Sequence, residues 1–72
     1  MDTLAVFRSR SEALRFFNLL KSKRIACTTV NTPQRIGVGC GVSVVFSSSV
    51  LSEVKRLISS SSPSSFVGFY RK

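Results

Sequence analysis

The segment Gly37-Val38-Gly39-Cys40-Gly41 sets one thiol directly between two glycines. Glycine has no side chain to shield a neighbour, so reagents and backbone amides can both approach such a thiol closely. A cysteine acts as a nucleophile to the extent that it is thiolate, and nearby cations or backbone N–H groups favour that form. Consecutive amides at Gly39, Cys40 and Gly41 suit an anion-binding nest. Arg35, five residues upstream in the same loop, is the nearest candidate cation, and Pro33 precedes it. This combination suits a thiolate, or a persulfide or selenosulfide anion derived from one. The plainer reading stands beside it: Cys40 is a small residue at a tight strand start, and the glycines serve backbone geometry alone.

Cys27 differs in setting. It alternates with Ile25 and Thr29 on one face of an extended run, where a buried cysteine behaves as a small hydrophobe. A role as a second, resolving thiol would require the loop to fold back over that strand. Two cysteines do not make a disulfide framework, and the context reads as cytoplasmic and reducing. The chain has no histidine and only three carboxylates, Asp2, Glu12 and Glu53. A serine–histidine hydrolase is therefore excluded. One chain cannot assemble a zinc site of the usual kind, and no metal or other cofactor is expected.

The elements that must position these residues follow from periodicity. Leu4-Ala5-Val6-Phe7 reads as a first strand. Ser9 starts a helix, with Glu12 at the capping-box spacing. Ala13, Leu14, Phe16, Phe17, Leu19 and Leu20 recur at helical intervals, with Phe16 and Leu19 at the edges of a broad apolar arc. Lys21, Lys23 and Arg24 suit a helix C-terminus. Residues 25–30 read as the second strand, broken by Asn31-Thr32-Pro33, and residues 34–41 as a long loop. Val42 to Phe46 reads as the third strand. Ser47 caps a second helix whose stripe is Val50, Leu51, Val54, Leu57 and Ile58. Residues 59–65 form a polar linker to a last strand, Phe66 to Tyr70. The order β-α-β-β-α-β predicts an α+β, ferredoxin-like sandwich over residues 1–72, a single domain with a four-stranded antiparallel sheet and both helices on one face.

That architecture leaves one sheet face without helices. Both phases of the strands carry apolar residues, so the free face is expected to expose a set such as Val30, Val45, Val67 and Phe69. An apolar patch of that kind marks a contact surface, for homodimerisation through the open face or for docking of a partner; the plainer reading is that a tail or strand curvature covers it.

Eleven Lys and Arg give a net charge of +8. They are spread along the chain, so a solvated basic surface and a dedicated patch for an anionic partner are both consistent with it. No apolar run approaches the ~20 residues that span a bilayer, so no membrane association is expected. No basic stretch leads into a continuous apolar region at the N-terminus, so no secretory signal is expected either.

The sequence resembles a family of short bacterial selenium/sulfur carrier-like proteins. The matching residues are Val6-Phe7, Ser9, Ala13-Leu14, Leu19-Leu20-Lys21, Ile25, Thr32-Pro33, Cys40-Gly41, Phe46-Ser47 and Gly68-Phe69-Tyr70, covering nearly the whole chain. The resemblance implies that Cys40 is the carrier thiol, with Pro33 and Arg35 as loop positions. Here Gly37-Val38-Gly39 stands where relatives are often serine-rich, and Phe17 where a polar or acidic residue is expected.

The expected function is a carrier, rather than a turnover enzyme, that accepts sulfur or selenium on Cys40 from a donor protein and relays it to an acceptor. The alternative is a small basic module for RNA or protein, with Phe69 and Tyr70 as candidate stacking aromatics. The ribonucleoprotein signature is absent, and the third strand offers only Phe46 as an aromatic.

Overall fold

The computed structural model describes residues 1–37 and 41–72. Its strands are β1 (Thr3–Phe7), β2 (Cys27–Asn31), β3 (Val42–Phe46) and β4 (Phe66–Arg71), and its helices are α1 (Arg10–Ser22) and α2 (Leu51–Ser61). Short 3₁₀ turns span Gln34–Ile36 and Ser48–Val50. The sheet order is β2-β3-β1-β4, and every neighbouring pair is antiparallel. This is the ferredoxin-like arrangement that the element order predicts. Each βαβ crossover leaves a gap that a strand of the other unit fills. β1 and β3 therefore lie in the middle, and all five residues of each are buried.

On the helix side, Ala5, Phe7, Val44 and Phe46 pack against Phe16 and Leu20 of α1 and Val54 of α2. Aromatic rings carry this core toward β4. Phe7 meets Phe16 at 5.6 Å and Phe66 at 5.4 Å, Phe66 meets Phe69 at 5.0 Å, and Phe69 meets Phe46 at 6.1 Å between centroids. Tilted and edge-on pairs at such distances are the favourable aromatic geometry.

The exposed apolar face expected from the sequence is not there. Leu4 (1%), Val6 (0%) and Val45 (1%) form a second buried cluster on the far side of the sheet, with Val30, Ile36 and Val67 half-buried against it. Phe69 points the other way, into the helix-side core. A register shift in the β1–β4 pairing between Val6 and Phe7 places Phe66 and Phe69 on the same side despite their odd spacing. The far face is covered by the segment after β2, where Ile36 sits on the cluster. Homodimerisation through an open apolar face therefore loses the patch on which it rested.

Helix ends depart from the sequence reading in instructive ways. Ser9 caps α1 by accepting from the Glu12 amide at 3.3 Å. The Glu12 carboxylate does not close the capping box. It accepts from the Ser65 amide at 2.7 Å, the Ser64 hydroxyl at 3.1 Å and the Ser65 hydroxyl, tying α1 to the linker before β4. At its other end α1 closes with Ile25 N–H on the Leu20 carbonyl (3.0 Å) and Arg24 N–H on the Lys21 carbonyl (3.0 Å), the Schellman pattern. Arg24 takes the left-handed position (φ 61), so β2 starts at Cys27 rather than Ile25. The expected linker shortens because α2 runs on to Ser61, where the Ser61 hydroxyl bonds back to the Leu57 carbonyl at 2.9 Å. Among the described residues no helix is long and apolar enough to cross a membrane.

Candidate functional site

Gly41 is buried at the start of β3, and its lack of a side chain is required there. A Cβ would run into the backbone carbonyl oxygen of Phe7 and lie 3.3 Å from Thr32 Oγ1. The Gly41 carbonyl accepts from Thr32 N–H at 3.0 Å. Thr32 Oγ1 and Ser43 Oγ share a buried hydrogen bond of 2.8 Å. The backbone that follows Cys40 is thus held between the ends of β1 and β2. Gly37 closes the 3₁₀ turn with φ 77, where a side chain would be strained, and donates to the Gln34 carbonyl at 3.0 Å. Val38, Gly39 and Cys40, and with them the expected amide nest, lie outside the described residues.

Pro33 begins the 3₁₀ turn, and its carbonyl accepts from Ile36 N–H at 3.1 Å. Arg35 then reaches across the sheet, donating from Nη2 to the Arg71 carbonyl at 2.9 Å. Arg71 pairs with Thr3 at one end of β1, whereas Gly41 sits on Phe7 at the other. Those ends are about 13 Å apart at the usual rise of a strand. The Arg35 guanidinium is therefore fixed far from Gly41 and serves to pin the 34–36 segment over the sheet.

Other cations stand at the Gly41 end. Arg8 directly follows Phe7, and its N–H donates to the Ser65 carbonyl at 2.9 Å. Arg10 lines a shallow hollow with Asn31 and with Val42, the residue after Gly41. Neither was singled out from the sequence, because about thirty residues separate them from the thiol and only the β1–β3 pairing brings the two segments together.

Cys27 lies at the opposite end of the β2–β3 ladder from Gly41, opposite Phe46. Its thiol is half-buried on the helix side and faces the Phe17 carbonyl at 3.9 Å. Burial raises its pKa, and the nearby Lys21 charge offsets that only in part. A thiol held in its neutral form is a poor nucleophile.

Residues 2–70 match the model of the family described as "Putative Se/S carrier protein-like". The chain belongs to that family. No curated protein and no solved structure matches it.

For this Se/S carrier-like chain the structure also bears on the alternative reading. Phe69 and Phe46, the aromatics that base stacking would need, are committed to the core. Tyr70, 37% exposed and paired with Leu4, is the exposed aromatic among the described residues. All eleven Lys and Arg are exposed. Asp2 and Glu12 are held by serines rather than by cations. Asp2 accepts from Ser48 N–H at 2.8 Å and its hydroxyl at 3.1 Å, and these bonds keep its carboxyl below the ordinary value. The basic surface is left largely uncompensated and available to an anionic partner.

Proposed function

We propose that this protein carries sulfur or selenium on Cys40, as a relay between a donor and an acceptor protein in the reducing cytoplasm. The observation that carries the reading is family membership across residues 2–70, a span that includes Cys40. The packing of Gly41 supports it, since a rigid backbone immediately after the thiol favours a defined presentation to a partner. The setting of Cys27 supports a single carrier thiol: it sits at the far end of the strand ladder, on the helix side, with its pKa raised by burial.

The chemistry is thiol exchange. The Cys40 thiolate attacks the terminal sulfur of the donor's persulfide, a new S–S bond forms to Cys40, and the donor's own S–S bond breaks to release its thiolate. An acceptor thiolate then attacks the terminal sulfur on Cys40 and restores the Cys40 thiolate. No external oxidant or reductant is consumed. Selenium in the terminal position follows the same steps as a selenosulfide.

Intact-mass spectrometry tests this after incubation with a cysteine desulfurase and cysteine, or with a selenocysteine lyase and selenocysteine. A sulfur or selenium adduct is expected on the wild type and on Cys27→Ser, and none on Cys40→Ser. Absence of an adduct from every form, with Cys40 still open to alkylation, would overturn the carrier reading for these donors.

A further inference from the structure

The two edges of the sheet are not alike. β4 is protected in the ways that natural edge strands usually are. It carries the register shift opposite Val6 and Phe7, ends at Arg71 with Lys72 directly after it, and has its Arg71 carbonyl taken by Arg35. β2, the other edge, is Cys27-Thr28-Thr29-Val30-Asn31, with no charge, proline or glycine. Among the described residues no backbone hydrogen bond reaches its outer side, which leaves a row of groups about 15 Å long.

α1 runs beside that edge over a similar length. Arg10 and Leu14 face Thr29, Asn31 and Val42 across a hollow of about 450 Å³. Farther along, the Phe17 carbonyl meets the Cys27 thiol at 3.9 Å, and Lys21 Nζ lies over the Phe17 ring at 5.4 Å from its centroid. The groove therefore has a cation at each end, and between them Leu14, 42% exposed, and half-buried Phe17. Its Arg10 end adjoins Val42, next to Gly41 and the carrier segment.

We propose that the free edge of β2 and the groove beside α1 receive an extended segment of a partner protein, acidic at both ends and β-branched in the middle, added as a fifth strand. Strand addition gives affinity through the backbone, and alternate side chains reading the groove give selectivity. Charge decides between this occupant and a second copy of the chain. Antiparallel pairing of two β2 edges would set the Arg10 end of one copy against the Lys21 end of the other, on molecules that each carry +8. An acidic segment meets both cations favourably. The partner's role as chalcogen donor or acceptor rests on the carrier reading of Cys40, whereas the docking itself does not.

The test is an NMR titration of isotopically labelled protein with a short peptide bearing glutamates on both sides of a Val-Thr-Val centre. Shifts confined to Cys27–Asn31 and to the Arg10–Lys21 side of α1 are expected, with slowed exchange of β2 amides. N-methylation of the peptide along one edge should abolish binding, and Arg10→Glu or Leu14→Glu, both at exposed positions, should weaken it about tenfold. Equal binding of the N-methylated peptide, or shifts spread over all the basic residues, would overturn the proposal. So would β2 edge pairing between copies without peptide. Loading of Cys40 by glutathione persulfide, measured in Leu14→Glu, keeps the two readings apart. Loading is expected to be unchanged, and its absence in the wild type would count against the carrier reading alone.

Discussion

At the level of single residues, the two described glycines of the carrier segment do different work, and substitution separates them. Gly37 has open space around it but a left-handed φ of 77, so Gly37→Ala should cost about 1–2 kcal/mol through backbone strain alone. Gly41 has no room instead, since a methyl group there meets the Phe7 carbonyl. Moving β3 away from β1 disturbs the centre of the sheet, so Gly41→Ala should cost about 3 kcal/mol, at the upper end of overpacking penalties. Denaturant unfolding of both variants checks the order. A smaller loss at Gly41 than at Gly37 would mean that β3 shifts freely at its start, and the argument for a rigidly presented thiol would go with it. The sequence shows both glycines but not this distinction, because the Phe7 carbonyl lies more than thirty residues away along the chain. Arg35 teaches the same lesson: proximity in sequence suggests a cation beside the thiol, and the hydrogen bond to Arg71 carries it to the other end of the sheet.

Among the elements, the most consequential departure from the sequence reading is the 34–36 segment. Helices and strands are legible because their apolar residues repeat, and α1, β3 and β4 lie within a few residues of where the periodicity puts them. Ile36 stands between Arg35 and Gly37 in a glycine-rich stretch that reads as loop, so nothing in the sequence singles it out for its seat on Leu4, Val6 and Val45. Replacing it should be felt across the sheet. Ile36→Ala is expected to cost about 1–2 kcal/mol from the partial burial lost, and Ile36→Asp to raise binding of a hydrophobic dye as the far-face cluster opens. No rise in dye binding for Ile36→Asp would show that other residues cover that face unaided. Glu12 offers a second test at this scale, because its carboxylate joins α1 to the β4 linker. The hydrogen bonds from Ser65, side chain first and then backbone, hold its pKa below the ordinary 4.5. A carboxylate whose folded value is lowered contributes stability that is complete above its unfolded value and is lost as pH falls through the folded value. Glu12→Gln should therefore be less stable than wild type at neutral pH, and the difference should shrink as the pH falls below about 4.5. A gap between the two that stays constant down to acid pH would mean that the Ser64–Ser65 bonds do not distinguish folded from unfolded protein.

For the molecule as a whole, charge is the dominant unbalanced term. Eleven exposed cations face three carboxylates, two of them already occupied by serines, on a body whose longest dimension is 29 Å. The Debye length is about 30 Å at 0.01 M salt, so every cation then feels every other, and about 8 Å at 0.15 M, where only neighbours interact. Self-repulsion of this kind weakens the compact state. The melting temperature should accordingly rise with added sodium chloride, by several degrees between those limits, since about 1 kcal/mol corresponds to roughly 4–8 °C in a domain of this size. Sodium sulfate at matched ionic strength distinguishes diffuse screening from discrete anion binding. If the two salts coincide at low concentration, the positive charge acts as a general field that attracts acidic partners without a fixed seat. If millimolar sulfate stabilises well beyond its ionic strength, an ordered anion site exists. Repeating the titration with Arg10→Glu then tells whether that site belongs to the end of the sheet that carries Gly41. Loss of the sulfate effect in that variant would place it there, and its survival would move it to the other cations.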